Sequence, residues 1–208
     1  METPEQIVPQ VVVQEFVPTD ALKVLEKTIW RTGINGLLYF ANRVFEDERG
    51  YFVEATRPWE ISAITGRVFH TEQGNKSLSY KKALRGIHSE GQDKLASVTV
   101  GSAFCALVDL RPDSSTFLHV ELITLHESTG LYIPEGVGNS FCVLSEVLYY
   151  SYLVTKIYAD LDKEENIAID PFDPDLGIPW PYAYKDMLLS IRDLDKAISL
   201  RKYLNQKR

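Results

Sequence analysis

Between residues 37 and 155, apolar positions alternate with polar ones or form short runs that end at turn residues. A period of two over four to eight residues is typical of β-strands. Segments with this pattern include residues 37–41, 67–71, 95–100, 104–110, 119–124 and 148–155. Segments with a helical period do not separate them, which favours a sandwich or barrel over a parallel α/β sheet. The sequence therefore predicts a mainly β protein.

Helical patterns are confined to the two ends of the chain. Residues 19–26 predict a short helix that begins at Thr19 or Asp20. Residues 170–180 are rich in Pro and Asp and predict a loop, and residues 194–204 then predict a closing helix. We therefore divide the chain into an N-terminal extension, residues 1–33, and one β domain, residues 34–208.

Composition excludes several classes of function. The chain has 208 residues, of which 45% are hydrophobic, enough for one substantial core. Its net charge is -7 and its acidic residues are scattered among the basic ones, which argues against binding to nucleic acid or to an anionic membrane. The acidic start and the lack of a long apolar run predict a soluble, cytoplasmic protein.

Two cysteines, Cys105 and Cys142, lie in apolar segments that resemble strands. These apolar surroundings favour two reduced core residues over a disulfide framework, and for the same reason a catalytic thiol is the less favoured alternative.

The segment from Arg85 to His88, followed by Lys94, combines a base with two cations. An imidazole that removes a carbon-bound proton and a cation that stabilises the resulting enolate suit chemistry beside a carbonyl. Simple alternation places Arg85 and His88 on opposite faces of a strand. If both line one pocket, the strand must twist or bulge, and Gly86 is where we expect it. A lone strand histidine is more often structural, and Lys94 could equally protect a strand edge.

Polar residues elsewhere could bind a ligand. Arg49 follows an acidic turn and could bind a phosphate or simply face solvent. In the segment 148–155, alternation places Tyr150 and Tyr152 on the same face, so a tyrosine hydroxyl should reach the interior.

Nine short motifs occur in an order that resembles the dTDP-4-dehydrorhamnose 3,5-epimerase family of cupin-type jelly rolls. They are Phe-x-Asp-Glu-Arg-Gly-Tyr-Phe-x-Glu (45–54), Gln-x-Asn-x-Ser (73–77), Leu-Arg-Gly-Ile-His (84–88), Lys-Leu (94–95), Val-Asp-Leu-Arg (108–111), Ile-Pro-Glu-Gly (133–136), Leu-Ser-Glu (144–146), Ile-x-Trp-Pro (178–181) and Leu-Ser-x-x-Asp (189–193). The resemblance covers residues 37–193. It implies a jelly-roll, cupin-like antiparallel β-barrel.

The resemblance also implies a role for each matching residue. His88 matches the catalytic base, Asp193 the carboxylate that orients it, Tyr152 the acid on the opposite face, and Lys94 a cation near the ketone. The matches to contacts with the nucleotide sugar are Arg49, Glu54, Gln73, Asn75, Arg85, Tyr158, which would stack on thymine, and Arg192, where a lysine is usual. The implied reaction inverts carbon 3, carbon 5 or both of a dTDP-linked 4-keto-6-deoxyhexose, without metal or redox cofactor, in a homodimer that exchanges edge strands.

One departure from the family pattern affects the expected reaction. Asn139 stands where the family has a pocket histidine, and an asparagine can bind a sugar hydroxyl but does not titrate near neutrality. Two other classes stay open: a metal-dependent cupin with His88 and Glu90 as ligands, and a sugar-nucleotide-binding protein that has lost catalysis. Asn139 counts against the metal, because it removes a nitrogen ligand.

Overall fold

The structure is a computed structural model, and it describes residues 9–24, 28–55, 57–157 and 166–207. The first seven strands in this part are β1 (Val12–Glu15), β2 (Ile29–Arg31), β3 (Leu38–Ala41), β4 (Val44–Asp47), β5 (Gly50–Val53), β6 (Gln73–Tyr80) and β7 (Leu84–Ser89). The other seven are β8 (Lys94–Val100), β9 (Ser102–Asp109), β10 (His119–His126), β11 (Thr129–Ile133), β12 (Val137–Val143), β13 (Val147–Val154) and β14 (Ile167–Ala168). Three helices are α1 (Pro58–Thr65), α2 (Ile191–Lys196) and α3 (Leu200–Gln206).

Twelve of these strands form two six-stranded sheets. Strands run in the order β1-β10-β9-β12-β7-β14 in the first sheet and β2-β3-β11-β8-β13-β6 in the second. All neighbours pair antiparallel except β1, which runs parallel to β10. The predicted mainly β, jelly-roll fold is confirmed, as a sandwich of two sheets rather than a closed barrel.

The main core fills the space between the two sheets. Its inward-facing side chains include Cys105, Leu107 and Val143 from the first sheet and Ala96, Leu131 and Leu148 from the second, each at most 1% exposed. Strand alternation explains this arrangement, because every second residue of a strand points to the same side. At one end of the sandwich, polar side chains replace apolar ones on these inner faces.

The outer faces of the two sheets are covered by short helices. Leu200 and Tyr203 of α3 pack against the outer face of the first sheet, and the Tyr203 hydroxyl donates a hydrogen bond to the Leu110 carbonyl. Ile61 of α1 packs with Phe40 and Tyr132 on the outer face of the second sheet. The described helices are short, and none is long and apolar enough to cross a membrane.

Strands β4 and β5 form a separate hairpin. Phe45 and Phe52 are cross-strand partners in it, and their ring centres are 6.3 Å apart. Nevertheless, Phe45 is 45% exposed and Phe52 is 63% exposed. Apolar area of this kind on an exposed hairpin is unusual for a surface that faces only water.

Three predictions about secondary structure were wrong. In the described part of residues 19–26, only Asp20–Leu22 is helical, as one 3₁₀ turn, and residue 30 belongs to β2. The stretch 67–71 is not a strand, because the chain leaves α1 through a left-handed Gly66 and reaches β6 only at Gln73. The predicted closing helix is two helices, α2 and α3, interrupted at Ala197. The division at residue 33 stays a prediction, although β1 and β2 of the proposed extension pair with the sheets.

Candidate active site

A cavity of about 430 Å³ opens between the two sheets at the polar end of the sandwich. Its volume lies within the range of small-molecule sites. The first sheet contributes residues of β7 and β12, the second sheet residues of β6, β8 and β13, and helix α2 closes one side. The lining residues are Gln73, Asn75, Ser77, Arg85, His88, Glu90, Gln92, Lys94, Asn139, Phe141, Tyr150, Tyr152, Val154, Ser190 and Asp193.

An irregularity in β7 brings Arg85 and His88 into the same cavity. Arg85 pairs with Phe141 and His88 with Asn139, so β7 has one more residue than β12 between these two pairs. The expected bulge is therefore confirmed, and it reverses the alternation between the two side chains. Gly86 permits it: its φ is +113°, and a Cβ at this position would lie 2.5 Å from the Asn139 carbonyl oxygen.

His88 is held by a buried carboxylate. The Asp193 Oδ1 atom lies 2.7 Å from His88 Nε2, and the side chain of Asp193 is 5% exposed against 24% for His88. Ser190 is the N-cap of α2, and its hydroxyl accepts a hydrogen bond from the Asp193 N–H at 3.0 Å. A neutral His88 that donates from Nε2 to Asp193 keeps the lone pair on Nδ1, so Nδ1 is the nitrogen that can take a proton.

Lys94 carries a nearly buried positive charge in the opposite sheet. Its ammonium lies 3.0 Å from Glu90 Oε2 and 5.9 Å from the ring centre of Tyr152. Burial alone would raise the pKa of Glu90, but the Lys94 charge and the hydrogen bond from Gln92 outweigh it, and the pKa lies below its ordinary value. Glu90 is therefore ionised, and its ion pair with Lys94 fixes the ammonium where a developing oxyanion could be stabilised.

Two buried polar groups lie near each other on the cavity wall without a hydrogen-bond partner in the described structure. They are the Asn139 side-chain oxygen and the Tyr150 hydroxyl. The Asn139 side chain is close enough to Tyr150 to oppose, in small part, the effect of burial on the Tyr150 pKa. Burial raises the pKa of Tyr150, so its phenol is neutral. Unsatisfied buried groups are costly unless a ligand or water completes them, so this part of the wall is suited to a polar ligand.

The remaining residues predicted from the sequence are divided between the cavity and other places. Gln73 and Asn75 line the cavity and are hydrogen-bonded to each other at 2.6 Å. Arg49 and Glu54 do not line it, because they belong to or follow the hairpin, where Arg49 is 85% exposed and pairs with Asp47. Tyr158 lies outside the described residues. Arg192 lies in α2, and the structure does not describe its side chain.

Six further cavity residues were not predicted as ligand contacts, and Glu90 was considered only as a metal ligand. The six are Ser77, Gln92, Phe141, Tyr150, Val154 and Ser190. One of them had a readable signal: Ser190 and Asp193 stand in the Ser-x-x-acid spacing of a capping box. Strand alternation also placed Tyr150 on the same face as Tyr152. The others could not be identified from the sequence, because they come together only in the folded structure.

The prediction of two reduced, buried cysteines is confirmed. Burial raises the pKa of Cys142 to about 11 and raises that of Cys105 as well, so neither thiol is a ready nucleophile. Within the described residues, no three side chains of His, Cys, Asp or Glu are grouped as metal ligands. The cavity lining includes one imidazole, that of His88, which is hydrogen-bonded to Asp193.

Comparison with known proteins agrees with this geometry. A family model described as dTDP-4-dehydrorhamnose 3,5-epimerase matches residues 31–201. The Escherichia coli enzyme of that name is 34% identical over 183 residues, which cover 82% of this chain and 96% of the relative. A dTDP-4-dehydrorhamnose 3-epimerase of Streptomyces niveus is 32% identical over 169 residues, 78% of this chain and 79% of the relative.

A solved structure from Legionella pneumophila, an epimerase in complex with dTDP-4-keto-L-rhamnose, superposes with a TM-score of 0.73 at 31% identity. The alignment covers 82% of this chain and 91% of that one. Fold and cavity thus define a jelly-roll protein of the sugar-nucleotide epimerase class. The chain belongs to the dTDP-4-dehydrorhamnose 3,5-epimerase family.

Proposed function

We propose that this protein is an isomerase that inverts carbon 3, carbon 5 or both of a dTDP-linked 4-keto-6-deoxyhexose. One observation carries the proposal: an oriented histidine, a fixed ammonium and a tyrosine line the same cavity. The hydrogens on carbons 3 and 5 are both α to the ketone, so one base and one acid on opposite faces are sufficient for inversion. The reaction consumes and returns one proton at each carbon.

The base is His88. Its Nδ1 atom takes the proton from the carbon beside the ketone, and the electron pair of that C–H bond passes into the enolate. Asp193, 2.7 Å from Nε2, stabilises the imidazolium that forms and fixes the ring. The arrangement resembles the orienting pair of serine hydrolases, but here the imidazole acts directly on carbon.

Lys94 stabilises the enolate oxygen. Its charge is balanced by Glu90 at 3.0 Å, and this ion pair holds the ammonium in place. A charge that is already oriented needs little reorganisation when the oxyanion develops.

Tyr152 returns the proton from the other side. It belongs to β13 of the second sheet, whereas His88 belongs to β7 of the first, so the two groups approach a bound sugar from opposite walls. Removal of a proton on one face and its return on the other is the definition of inversion. At the end of the turnover the His88 imidazolium releases its proton to solvent and the tyrosinate takes one up from solvent.

Asn139 influences which carbon of the sugar reacts. This residue pairs with His88 across β12 and β7, and its side-chain oxygen is buried without a partner in the described structure. We infer that it hydrogen-bonds a sugar hydroxyl and so influences which carbon faces His88. The relatives include both 3,5-epimerases and a 3-epimerase, so either outcome lies within the family.

We also propose a cytoplasmic homodimer. The exposed apolar residues of the β4–β5 hairpin, Phe45 and Phe52, need a covering surface, and a second copy of the chain is the simplest one. Such an arrangement would let Arg49 and Glu54 of the hairpin approach the cavity of the partner copy.

The test follows deuterium from solvent into the sugar. Incubated in deuterated water with dTDP-4-keto-6-deoxyglucose, the protein should incorporate deuterium at carbon 3 or 5, observed by NMR. His88→Ala should abolish incorporation. His70→Ala is the matched control, because His70 also pairs with a carboxylate, Glu72 at 2.9 Å, but is exposed and outside the cavity. Lack of incorporation by the unmodified protein with this and related 4-keto sugars would refute the proposal.

A further inference from the structure

The buried Glu90 carboxylate has one oxygen that the described structure leaves unused. Oε2 accepts a hydrogen bond from Gln92 at 2.6 Å and forms an ion pair with the Lys94 ammonium at 3.0 Å. No described group donates a hydrogen bond to Oε1, although the side chain is only 12% exposed. Oε1 is not fully buried, and Glu90 lines the cavity, so this oxygen is accessible to a ligand there.

The backbone fixes this oxygen in place. Glu90 follows the end of β7 by one residue, and it stands two residues after His88, so alternation directs both side chains to the cavity. The Gly136 N–H donates to the Glu90 carbonyl at 3.3 Å, which ties this segment to the turn before β12. Glu90 thus lies close in sequence to the catalytic base, on a loop that is hydrogen-bonded to the turn before β12.

We propose that Glu90 determines sugar specificity: its free oxygen accepts a hydrogen bond from a ring hydroxyl of the bound sugar, next to the carbon that His88 deprotonates. This inference rests on the proposed function for the identity of the ligand class. An ionised carboxylate accepts hydrogen bonds and cannot donate them, so the residue selects for a sugar with a free hydroxyl at that position. A charge-assisted hydrogen bond of this kind is stronger than one between neutral groups.

The variant Glu90→Gln changes the hydrogen-bonding character of the site without changing its shape. Gln92 donates to Oε2 and the Lys94 ammonium is positively charged, so the amide oxygen must stay toward them and the amide nitrogen must take the place of Oε1. The cavity then presents a donor where it had an acceptor. The variant also removes one negative charge, which favours any bound diphosphate.

The experiment compares binding of dTDP with binding of dTDP-glucose by calorimetry. We expect Glu90→Gln to bind dTDP at least as tightly as the unmodified protein, whereas the gain in affinity from the glucose unit should fall about 10-fold or more. The two analogues dTDP-2-deoxyglucose and dTDP-3-deoxyglucose then identify the hydroxyl. One of them should bind the unmodified protein more weakly than dTDP-glucose does, and Glu90→Gln should not weaken the binding of that analogue further. Glu146→Gln is the control, because Glu146 forms an exposed ion pair with Lys81 at 2.6 Å.

Three results would overturn the proposal. The first is that Glu90→Gln lowers the affinity for dTDP and for dTDP-glucose equally, and the second is that it changes neither affinity. The third is that, for both deoxy analogues, the loss caused by the missing hydroxyl and the loss caused by Glu90→Gln are additive. An unmodified protein that binds no dTDP-sugar would overturn it as well. A protein that binds dTDP-glucose with the expected pattern but exchanges no deuterium would refute the epimerase function and leave the role of Glu90 intact, because the binding assay does not depend on turnover.

Discussion

Glu121 is a fully buried carboxyl group outside the cavity, and it should make the protein less stable at high pH. Its side chain is 0% exposed, Oε2 accepts the Gly33 N–H at 2.7 Å, and Oε1 has no partner in the described structure. Burial raises the pKa of Glu121 from 4.5 to about 7, although the N–H groups of Gly33 and Ile34 oppose the rise. His119 Nε2 lies 3.4 Å away, but burial lowers the pKa of His119, so it offers little compensating charge near neutrality.

The sign follows from proton linkage. Between pH 4.5 and about 7 the folded protein keeps the Glu121 proton and the unfolded chain has lost it, so the free energy of unfolding falls as pH rises. Each pH unit in that window corresponds to about 1.4 kcal/mol. The full loss above pH 7 is therefore about 3 kcal/mol, the product of that figure and the displacement from 4.5 to about 7.

Glu121→Gln removes this titration and keeps an oxygen for the Gly33 N–H. We expect its free energy of unfolding, relative to the unmodified protein, to increase by about 2–3 kcal/mol between pH 5 and pH 8. Urea unfolding at fixed protein concentration measures it, and any constant effect of the amide cancels between the two pH values. Glu127→Gln is the matched control, because Glu127 accepts the Gly101 N–H at 3.1 Å but is exposed. A difference that is the same at both pH values would refute the reasoning.

Three other predictions concern the site and the assembly. Asp193→Asn should slow deuterium exchange by about 100-fold or more, because the imidazolium loses its charged partner. Calorimetry should find dTDP binding unchanged, and exchange at the full rate would exclude the orienting role. Gly86→Ala should lower the free energy of unfolding, measured in urea, by about 3 kcal/mol or more. The new methyl group would clash with the Asn139 carbonyl, and a φ of +113° favours glycine. A decrease of less than about 1 kcal/mol would contradict this prediction. Phe52→Ser should shift a dimer to monomer in light scattering, and an unchanged dimer would show that the hairpin is not the interface.

The strands of the sandwich could be predicted because each buries one face. Residues 104–110 form a short apolar run and residues 148–155 a run rich in tyrosine, and β9 and β13 cover most of these two stretches. Helix α1 was missed, although Pro58 at its start and the left-handed Gly66 at its end are ordinary helix signals. Between them, Trp59, Ile61 and Ala63 alternate with polar residues, and a period of two does not indicate a helix.

The break between α2 and α3 could not be predicted from local pattern. Ile198 pairs with the distant segment at Ile169, and its N–H donates to the Ala168 carbonyl at 2.9 Å. This long-range pairing takes backbone groups away from the helix, and no local periodicity records it.

The chemistry of the site was predictable only in part. The bulge at Gly86 follows from the need to bring Arg85 and His88 together, and that need was visible in the sequence. The ion pair of Lys94 with Glu90 depends on a loop conformation that four residues of sequence do not determine. For the same reason, the acceptor oxygen of Glu90 became apparent only in the structure.

The most direct test of the two-walled mechanism separates exchange from inversion. In deuterated water, Tyr152→Phe should still exchange the hydrogen beside the ketone, because His88 and Lys94 remain, but the product should keep its original configuration, since the acid on the opposite wall is gone. Carbon-resolved NMR measures both quantities in one sample. Inversion by Tyr152→Phe at the rate of the unmodified protein would contradict the assignment of Tyr152 as the acid, and with it the central claim.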